Sequence, residues 1–502
     1  MPLNENCFEI EQWGRFEYRC SGPQDGNPFT DIRIAGRFRC GHRVVEAEGF
    51  YEGDGQYCVR FMPDTPGMWS FETVSNREEL HGHTGALNCI RPQPGNRGPV
   101  QVHATHHFVY ADGTLYRPYG TTCYAWTHQG EQLEEMTLAS LRQSPFNKIR
   151  MCVFPKHYDY NLNEPEHYPF AGSLDAGWDF SRFEPAYWNH LERRLQDLQD
   201  MGIEVDLILF HPYDRWGFSA MSSQTDALYL QYAVARLASF RNIWWSLANE
   251  YDLMHGKNMQ DWDMFFKIIQ AKDPYQHLRS IHNWHHPEIH YRSNVHWYDH
   301  GKPWVTHASI QHHDLNYIPE WRELYGKPIV VDECRYEGDL NHGWGNLTAE
   351  AMTECFWRGM AFGGYVTHGE TYVHSEDIIW WSHGGTLHGQ SPARIQFLRE
   401  LMEEGTQLGL GQTAVNFQWD TAAGGIDLDQ YWVYFGQSRP AFRNLKLPEG
   451  LGFELELIDT WNMTVTSMHG IYEGACRVEL PAKPYMALRI RRSSNEQRGE
   501  CV

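Results

Sequence analysis

Hydrophobic and polar residues alternate in short runs along the first 95 residues, which is the pattern of half-buried β-strands. Clusters rich in glycine, proline and aspartate separate these runs, as turns between strands require. A stretch with three prolines closes the segment at 91–99. We therefore predict an N-terminal β-sandwich over residues 1–98. The alternating runs lie at 16–19, 32–39, 57–62 and 69–74.

From about residue 105 the pattern changes, and apolar runs alternate with segments of helical periodicity. One such segment repeats apolar residues every three or four positions from Tyr187 to Leu198. Eight strands with intervening helices in about 300 residues match a (β/α)8 barrel. No glycine-rich phosphate motif follows any strand, which disfavours a doubly wound nucleotide-binding sheet. The predicted strands lie in 114–126, 147–154, 203–210, 242–249, 277–284, 304–311, 327–333 and 364–370.

Beyond residue 406 the chain again shows short alternating runs, for example CRVELP and YMALRIRR. The predicted fold class is therefore α/β, a (β/α)8 TIM barrel at 99–406 flanked by two β-sandwich domains. The first sandwich, at 1–98, is expected to be of immunoglobulin or fibronectin type, and the second occupies 407–502.

The net charge of the chain limits the kinds of partner it can bind. The chain has 42 Lys and Arg against 64 Asp and Glu, a formal net charge of −22, so it repels phosphate backbones and anionic lipid. We expect neither nucleic-acid nor membrane partners. The beginning of the sequence shows no signal-peptide pattern, and the 11 cysteines are odd in number and scattered, which favours a cytoplasmic location. The pattern leaves the oligomeric state open.

Aromatic residues are abundant, with 20 Trp and 27 Tyr. Such residues either fill a bulky core or stack against the apolar faces of sugar rings. Composition alone leaves both interpretations open.

Two strand ends carry the residues that catalysis requires. In a (β/α)8 barrel the reactive groups lie at the C-terminal ends of strands. Strand four ends in Asn249-Glu250, and strand seven ends in Asp332-Glu333. A single glutamate there could merely cap a helix or form an ion pair. Two of them, each after an unbroken apolar strand, predict the acid and the nucleophile that cleave a glycosidic bond.

This arrangement resembles the clan A retaining glycoside hydrolases, which include family 5. The resemblance implies that Glu250 is the acid/base, that Glu333 is the nucleophile and that Asn249 binds the 2-hydroxyl of the sugar. Family 5 also has an arginine late in strand two and a histidine after strand three, which Arg150 and His211 match. We expect the charge of Arg150 to lower the pKa of Glu333.

The whole architecture is similar to an apiosidase-like branch with an N-terminal β-sandwich and a C-terminal β domain. The stretch GFYEGDGQYCVRFMPDTPGMWSFE carries the resemblance in the leading domain. The chain departs from family 5 after strand six, where Gln311, His312 and His313 replace the expected histidine and tyrosine. The departure leaves the mechanism intact and puts the substrate in question.

Further polar and aromatic residues fall at predicted strand ends and are candidates for substrate binding, although each could equally belong to the core. The insertion at 156–180 is expected to shape the entrance to the site. The candidates are Trp126, His128, Trp216, His313, Trp380 and Trp381.

We therefore predict a retaining glycosidase that acts on small oligosaccharides or glycosides from their ends, with neither a cofactor nor a metal. Two alternatives stay open. The histidines of HNWHHPEIH could serve a metal-dependent barrel hydrolase, although neither HxH at strand one nor HExxH is present. A non-catalytic carbohydrate-binding protein is the other alternative.

Overall fold

The computed structural model describes residues 7–373, 379–405, 409–417 and 419–493. The chain begins with a β-rich domain, in which a short helix, α1 (Pro28–Asp31), precedes the third strand. Its strands are β1 (Cys7–Glu11), β2 (Phe16–Ser21), β3 (Ile34–Cys40), β4 (Arg43–Gly53), β5 (Gln56–Phe61), β6 (Gly67–Ser75) and β7 (Thr84–Ile90).

The seven strands pair in the order β1-β7-β6-β3-β4-β5-β2. The long strand β4 pairs first with β3 and then, from Gly49, with β5. A Cβ atom on Gly49 would lie 2.7 Å from the carbonyl oxygen of Cys58, so this crossing of the backbones requires glycine. The ring centroid of Phe16, on the edge strand β2, lies only 5.5 Å from the ring centroid of Phe71 on β6. The sheet therefore curls over a single apolar core and forms two facing layers.

The strands of the central segment follow in chain order. They are β8 (Val100–His103), β9 (His107–Tyr110), β10 (Leu115–Tyr116), β11 (Gly120–Thr122), β12 (Lys148–Cys152), β13 (Phe170–Ser173), β14 (Gly177–Phe183), β15 (Glu204–Phe210), β16 (Ile243–Asn249), β17 (Arg279–His282), β18 (Ala308–Gln311), β19 (Ile329–Glu333), β20 (Glu337–Gly338), β21 (Tyr365–His368) and β22 (Glu370–Thr371).

Eight of these strands form a closed parallel barrel, β11-β12-β15-β16-β17-β18-β19-β21. Each lies inside one of the eight runs that the sequence predicts, so the (β/α)8 fold is confirmed. Helices cover the barrel, but within the described residues β17 is followed only by a 3-10 turn at Tyr291–Ser293. The helices are α2 (Glu131–Gln143), α3 (Pro185–Asp200), α4 (Ser223–Leu237), α5 (Met259–Lys272), α6 (Ile318–Tyr325), α7 (Ala349–Ala361), α8 (Trp380–His383) and α9 (Ser391–Gly405).

A small antiparallel sheet, β8–β10, closes the bottom of the barrel. Phe108 and Tyr116 pack there against Trp244 and Val330, which lie near the starts of β16 and β19. Since this end is filled by apolar side chains, the opposite end, where the strands terminate, is the one open to a ligand.

The chain ends in a second β-rich domain. A five-stranded sheet in the order β23-β24-β29-β26-β27 packs with the hairpin β25-β28 around a core that includes Tyr431, Leu455 and Val478. The domain boundary predicted at 406–407 lies outside the described residues, and the boundaries stay a prediction. The strands are β23 (Ala422–Ile426), β24 (Gln430–Tyr434), β25 (Phe442–Lys446), β26 (Phe453–Asp459), β27 (Thr464–Ser467), β28 (Ala475–Glu479) and β29 (Met486–Arg492).

No helix in the described ranges combines the length and the apolar character that crossing a bilayer demands.

A buried ion pair joins the first domain to the barrel. Arg60 on β5 donates 2.8 Å hydrogen bonds to Glu192 of α3 and to the carbonyl oxygen of Arg236 of α4. Burial alone would raise the pKa of Glu192, but the charges of Arg60 and Arg236 outweigh burial and lower the pKa to about 2. A carboxyl pKa lowered by folding stabilises the fold above the ordinary carboxyl range, and this contribution is lost as the pH falls toward 2.

We predict that Arg60→Met lowers the free energy of unfolding at pH 7 by about 1.5–3 kcal/mol, because Glu192 would keep Arg236 as a partner but lose the charged donor to its Oε2. Urea denaturation followed by circular dichroism measures the change. Arg37→Met is the matched control on the same domain, since Arg37 and Glu46 are 44% and 55% exposed and such pairs contribute less than about 1 kcal/mol. Equal losses in both variants would contradict the proposed link between the domains.

Candidate active site

Two glutamates stand at the open end of the barrel. Glu333 is the last residue of β19, and Glu250 directly follows β16. Each of these two residues is only 5% exposed to solvent. The backbone of Glu250 adopts φ +51°, a left-handed conformation that is uncommon outside glycine and is often found at functional sites.

Both glutamates line one cleft of about 330 Å³. Its walls are largely aromatic, and polar side chains are placed among the rings, as in carbohydrate sites. The insertion at 156–180 contributes part of one wall. Besides the two glutamates, the lining residues are Tyr158, Asp159, Tyr160, Tyr213, Trp284, Gln311, His313, Arg335, Tyr336, Trp344 and Trp381.

Glu333 receives hydrogen bonds on both carboxylate oxygens. The hydroxyl of Tyr124 donates to Oε1, and Nε2 of Gln311 donates to Oε2 at 3.0 Å. Burial raises the pKa of Glu333, whereas Tyr124, Tyr336 and Arg150 act in the opposite direction. The predicted effect of Arg150 on this carboxyl is therefore present, but burial outweighs it.

Glu250 receives a hydrogen bond on Oε2 from the hydroxyl of Tyr213. Burial raises the pKa of Glu250 to about 8, and the negative charge of Glu333 adds to the effect. Lys156 and Tyr213 oppose the shift. Because each carboxylate disfavours the ionisation of the other, the two carboxyls titrate as a coupled pair.

Below the cleft lies an ion-pair network between four fully buried residues. Lys148 Nζ contacts Asp206 at 3.2 Å and Asp332 at 2.7 Å, and Arg150 Nη1 contacts Asp206 at 2.7 Å. Arg150 also donates from Nη2 to Oδ1 of Asn249 at 3.0 Å. It reaches the cleft through this asparagine and does not line the cleft itself.

Asn249 is oriented by these contacts. Its Oδ1 accepts hydrogen bonds from Arg150 and, at 3.1 Å, from the hydroxyl of Tyr124. Its Nδ2 has no hydrogen-bond partner within the described part of the chain. This donor group is buried, and Asn249 does not line the cleft itself.

Two of the predicted binding residues, His313 and Trp381, line the cleft. The other three predicted tryptophans are buried and do not line the cleft. Trp126 donates to Met151 Sδ at 3.3 Å, Trp380 to Thr121 at 2.9 Å and Trp216 to Glu164 at 2.9 Å. That these three tryptophans contact the substrate stays a prediction, and their positions do not support it.

The histidines predicted after strands one and three are also away from the cleft lining. His128 Nε2 lies 3.2 Å from the carbonyl oxygen of Val153, and His211 Nε2 lies 3.1 Å from that of Phe154. Burial lowers the pKa of both imidazoles to about 3, so both are neutral. Contacts between these histidines and substrate likewise stay a prediction.

Several residues of the site were not found from sequence. Tyr124 lies inside the strand-one run, two positions before Trp126, and only the closed barrel turns its hydroxyl toward Glu333. Lys156 and Trp344 lie in long loops, where periodicity carries no signal. Tyr336 follows Glu333 by three residues, and this proximity was the one available clue.

Among the residues described, no group of three or more His, Cys, Asp or Glu side chains is arranged to hold a metal ion. In the histidine-rich region, the ring centroids of His285 and His313 lie 3.9 Å apart, and the ring planes are tilted by 37°.

A closed barrel of this type, with two glutamates at the ends of strands four and seven, defines the chain as a glycoside hydrolase. The chain belongs to the apiosidase-like family, because residues 103–422 match the apiosidase-like catalytic domain. Two domains of unknown function flank it: DUF5060 matches residues 9–76, and DUF5605 matches residues 419–491.

Solved structures agree with this assignment. A candidate glycoside hydrolase from Bacteroides vulgatus ATCC 8482 is 39% identical, with a TM-score of 0.90, over 97% of this chain and 100% of that one. A family 5 glycoside hydrolase from the same organism is 13% identical, with a TM-score of 0.58, over 80% and 95% of the two chains, and shares the fold alone. The comparison with curated proteins gives no match.

We predict that Glu333→Gln lowers the pH at which Glu250 titrates, because the variant removes a neighbouring negative charge. Burial remains, so the titration stays above the ordinary carboxyl range. Carbon-13 NMR of glutamate labelled at its side-chain carboxyl measures it, and Glu250→Gln identifies the signal. Glu400→Gln, on the exposed face of α9, is the control. An unshifted Glu250 signal in Glu333→Gln would show that the two carboxyls are not coupled.

Proposed function

We propose that the protein is a retaining glycoside hydrolase that cleaves small oligosaccharides or glycosides from their ends by double displacement. The observation that carries the proposal is the placement of Glu250 and Glu333, both buried, in one aromatic cleft at the ends of strands four and seven. Membership of the apiosidase-like family supports the same chemistry.

In the first step Glu333 attacks the anomeric carbon while Glu250 protonates the departing oxygen. The two hydrogen bonds from Tyr124 and Gln311 stabilise the ionised form of Glu333, which suits a nucleophile. The raised pKa of Glu250 keeps this carboxyl protonated near neutral pH, which suits an acid.

In the second step water hydrolyses the glycosyl–enzyme ester. Once Glu333 is esterified its negative charge is gone, and one cause of the raised pKa of Glu250 disappears with it. Glu250 can then accept the proton of the attacking water. The electrostatic coupling between the glutamates thus changes the role of Glu250 between the steps.

The cleft also supports the proposed substrate. Trp381 and Trp344 line the cleft and suit stacking against a sugar ring. The Nδ2 of Asn249, which has no hydrogen-bond partner among the described residues, is the proposed donor to a sugar hydroxyl. A cleft of about 330 Å³ is at the lower end of the size range of pockets for small ligands, which favours action on short substrates. The proposed mechanism uses neither a cofactor nor a metal.

We further propose a reducing, cytoplasmic compartment. All ten cysteines within the described ranges are free thiols. This fits a compartment in which disulfides do not persist.

We predict that Glu250→Ala and Glu333→Ala each lower kcat by at least about 10²-fold on a glycoside that the wild type accepts. With a dinitrophenyl glycoside, Glu250→Ala should form the ester and stall, and azide should release a glycosyl azide of retained configuration. Glu333→Ala with azide should give the inverted azide, because the anion takes the place of the nucleophile. Proton NMR of the products reads the configuration.

Glu204→Gln is the matched control. Burial raises the pKa of Glu204 to about 8 as well. This carboxyl, however, accepts a hydrogen bond from Trp244 near the closed end of the barrel. The Glu204→Gln variant should therefore retain activity. Opposite stereochemistry in the two azide products would exchange the roles of the glutamates. Wild-type turnover by a folded Glu250→Ala or Glu333→Ala would refute the proposed function.

A further inference from the structure

A buried lysine lies next to the cleft without a carboxylate partner. Lys156, four residues after β12, is 1% exposed. Among the described residues no carboxylate oxygen lies within 4.0 Å of its Nζ. Four aromatic rings surround the ammonium instead, at distances from Nζ to the ring centroids of 3.6 Å for Tyr124, 4.2 Å for Tyr213, 4.6 Å for Tyr158 and 5.5 Å for Trp381.

Two of these rings belong to the tyrosines that hold the glutamates. Tyr124 donates its hydroxyl hydrogen to Glu333, and Tyr213 donates its hydroxyl hydrogen to Glu250. A cation over a phenol ring draws electron density from the ring and makes its hydroxyl a stronger donor. One ammonium therefore acts on both carboxylates through one tyrosine each.

The other buried cations near the cleft are already neutralised. Lys148 and Arg150 share two carboxylates, Asp206 and Asp332, so the formal charges of this network sum to zero. Lys156 and the partly buried Arg335, which lines the cleft, are two cations that this network does not balance. Of these two, Lys156 is fully buried and contacts the rings of the tyrosines that donate to both glutamates.

We propose that Lys156 is a positioning residue that holds the two glutamates in the singly ionised state needed for the first step of glycoside cleavage. The catalytic role of Lys156 rests on the proposed function, whereas the electrostatic coupling between Lys156 and the two glutamates does not depend on that function. The ionisable groups that face the lysine, the two carboxyls or their cleft are the glutamates themselves and Tyr124, Arg150, Cys152, Tyr158, Asp159, His211, Tyr213, Asp252, His282, His313, Arg335 and Tyr336.

The first test replaces the ammonium with an apolar side chain of similar length, Lys156→Met. Removing the positive charge disfavours ionisation of both carboxyls, so both limbs of the pH profile of kcat/KM should move to higher pH by about one unit. Activity on the acidic limb should then fall about 10-fold at fixed pH. Lys156→Arg, which retains the charge, should restore the wild-type profile.

Lys257→Met is the matched control, since Lys257 is also buried and lies near aromatic rings but is paired with Asp226 at 2.6 Å. Its pH profile should match that of the wild type. A purely structural role for Lys156 would lower kcat without moving both limbs in the same direction. Unmoved limbs in a folded Lys156→Met would overturn the proposal.

A second measurement needs no lysine variant and no substrate. Coupling is reciprocal, so removing a glutamate charge must also change the titration of the lysine. With nitrogen-15-labelled lysine, the Lys156 ammonium should lose its proton at lower pH in Glu333→Gln than in the wild type. An identical lysine titration in both proteins would refute the coupling. If the titration shifts but no glycoside is cleaved, the proposed function fails and the coupling stands.

Discussion

The site depends on one electrostatic constraint: two carboxyl groups are buried in the same cleft, and a low-dielectric environment does not tolerate two unbalanced negative charges. Burial raises the pKa of both Glu250 and Glu333. The surrounding groups limit this cost in different ways, since the tyrosines donate hydrogen bonds and Lys156 supplies a positive charge. The proposed roles of acid and nucleophile rest on the unequal division of these contacts between the two glutamates.

The rest of the fold holds this arrangement in place. The buried network of Lys148, Arg150, Asp206 and Asp332 connects β12 to its neighbour β15 and, across the barrel interior, to β19, and it anchors Asn249 through Arg150. The β8–β10 sheet fills the opposite end of the barrel with apolar side chains. The first domain is joined to the outer helices by the buried Arg60–Glu192 pair. Polar contacts thus support the site from below, and hydrophobic packing closes the barrel.

The local pattern of hydrophobic and polar residues was enough to predict the architecture, because strand and helix periodicities are properties of consecutive residues. All eight barrel strands lie inside predicted runs, and the two glutamates were found because a parallel strand presents its last residues at the open end of the barrel. The same reasoning proposed Trp126, Trp216 and Trp380 as sugar contacts. Position along a strand does not say whether a large ring at its end turns to the cleft or to the packed helices, and these three do not line the cleft.

By itself, then, the sequence determined the order of the domains, the (β/α)8 barrel and the strand ends at which Glu250 and Glu333 stand. Tertiary structure alone decided the partners of those residues. Tyr124, Tyr213 and Lys156 come from three different strand–loop junctions and meet only when the barrel closes. The pKa values of the glutamates depend on these distant groups and on burial, and neither can be read from neighbouring residues, because electrostatic interactions act through space and not along the chain.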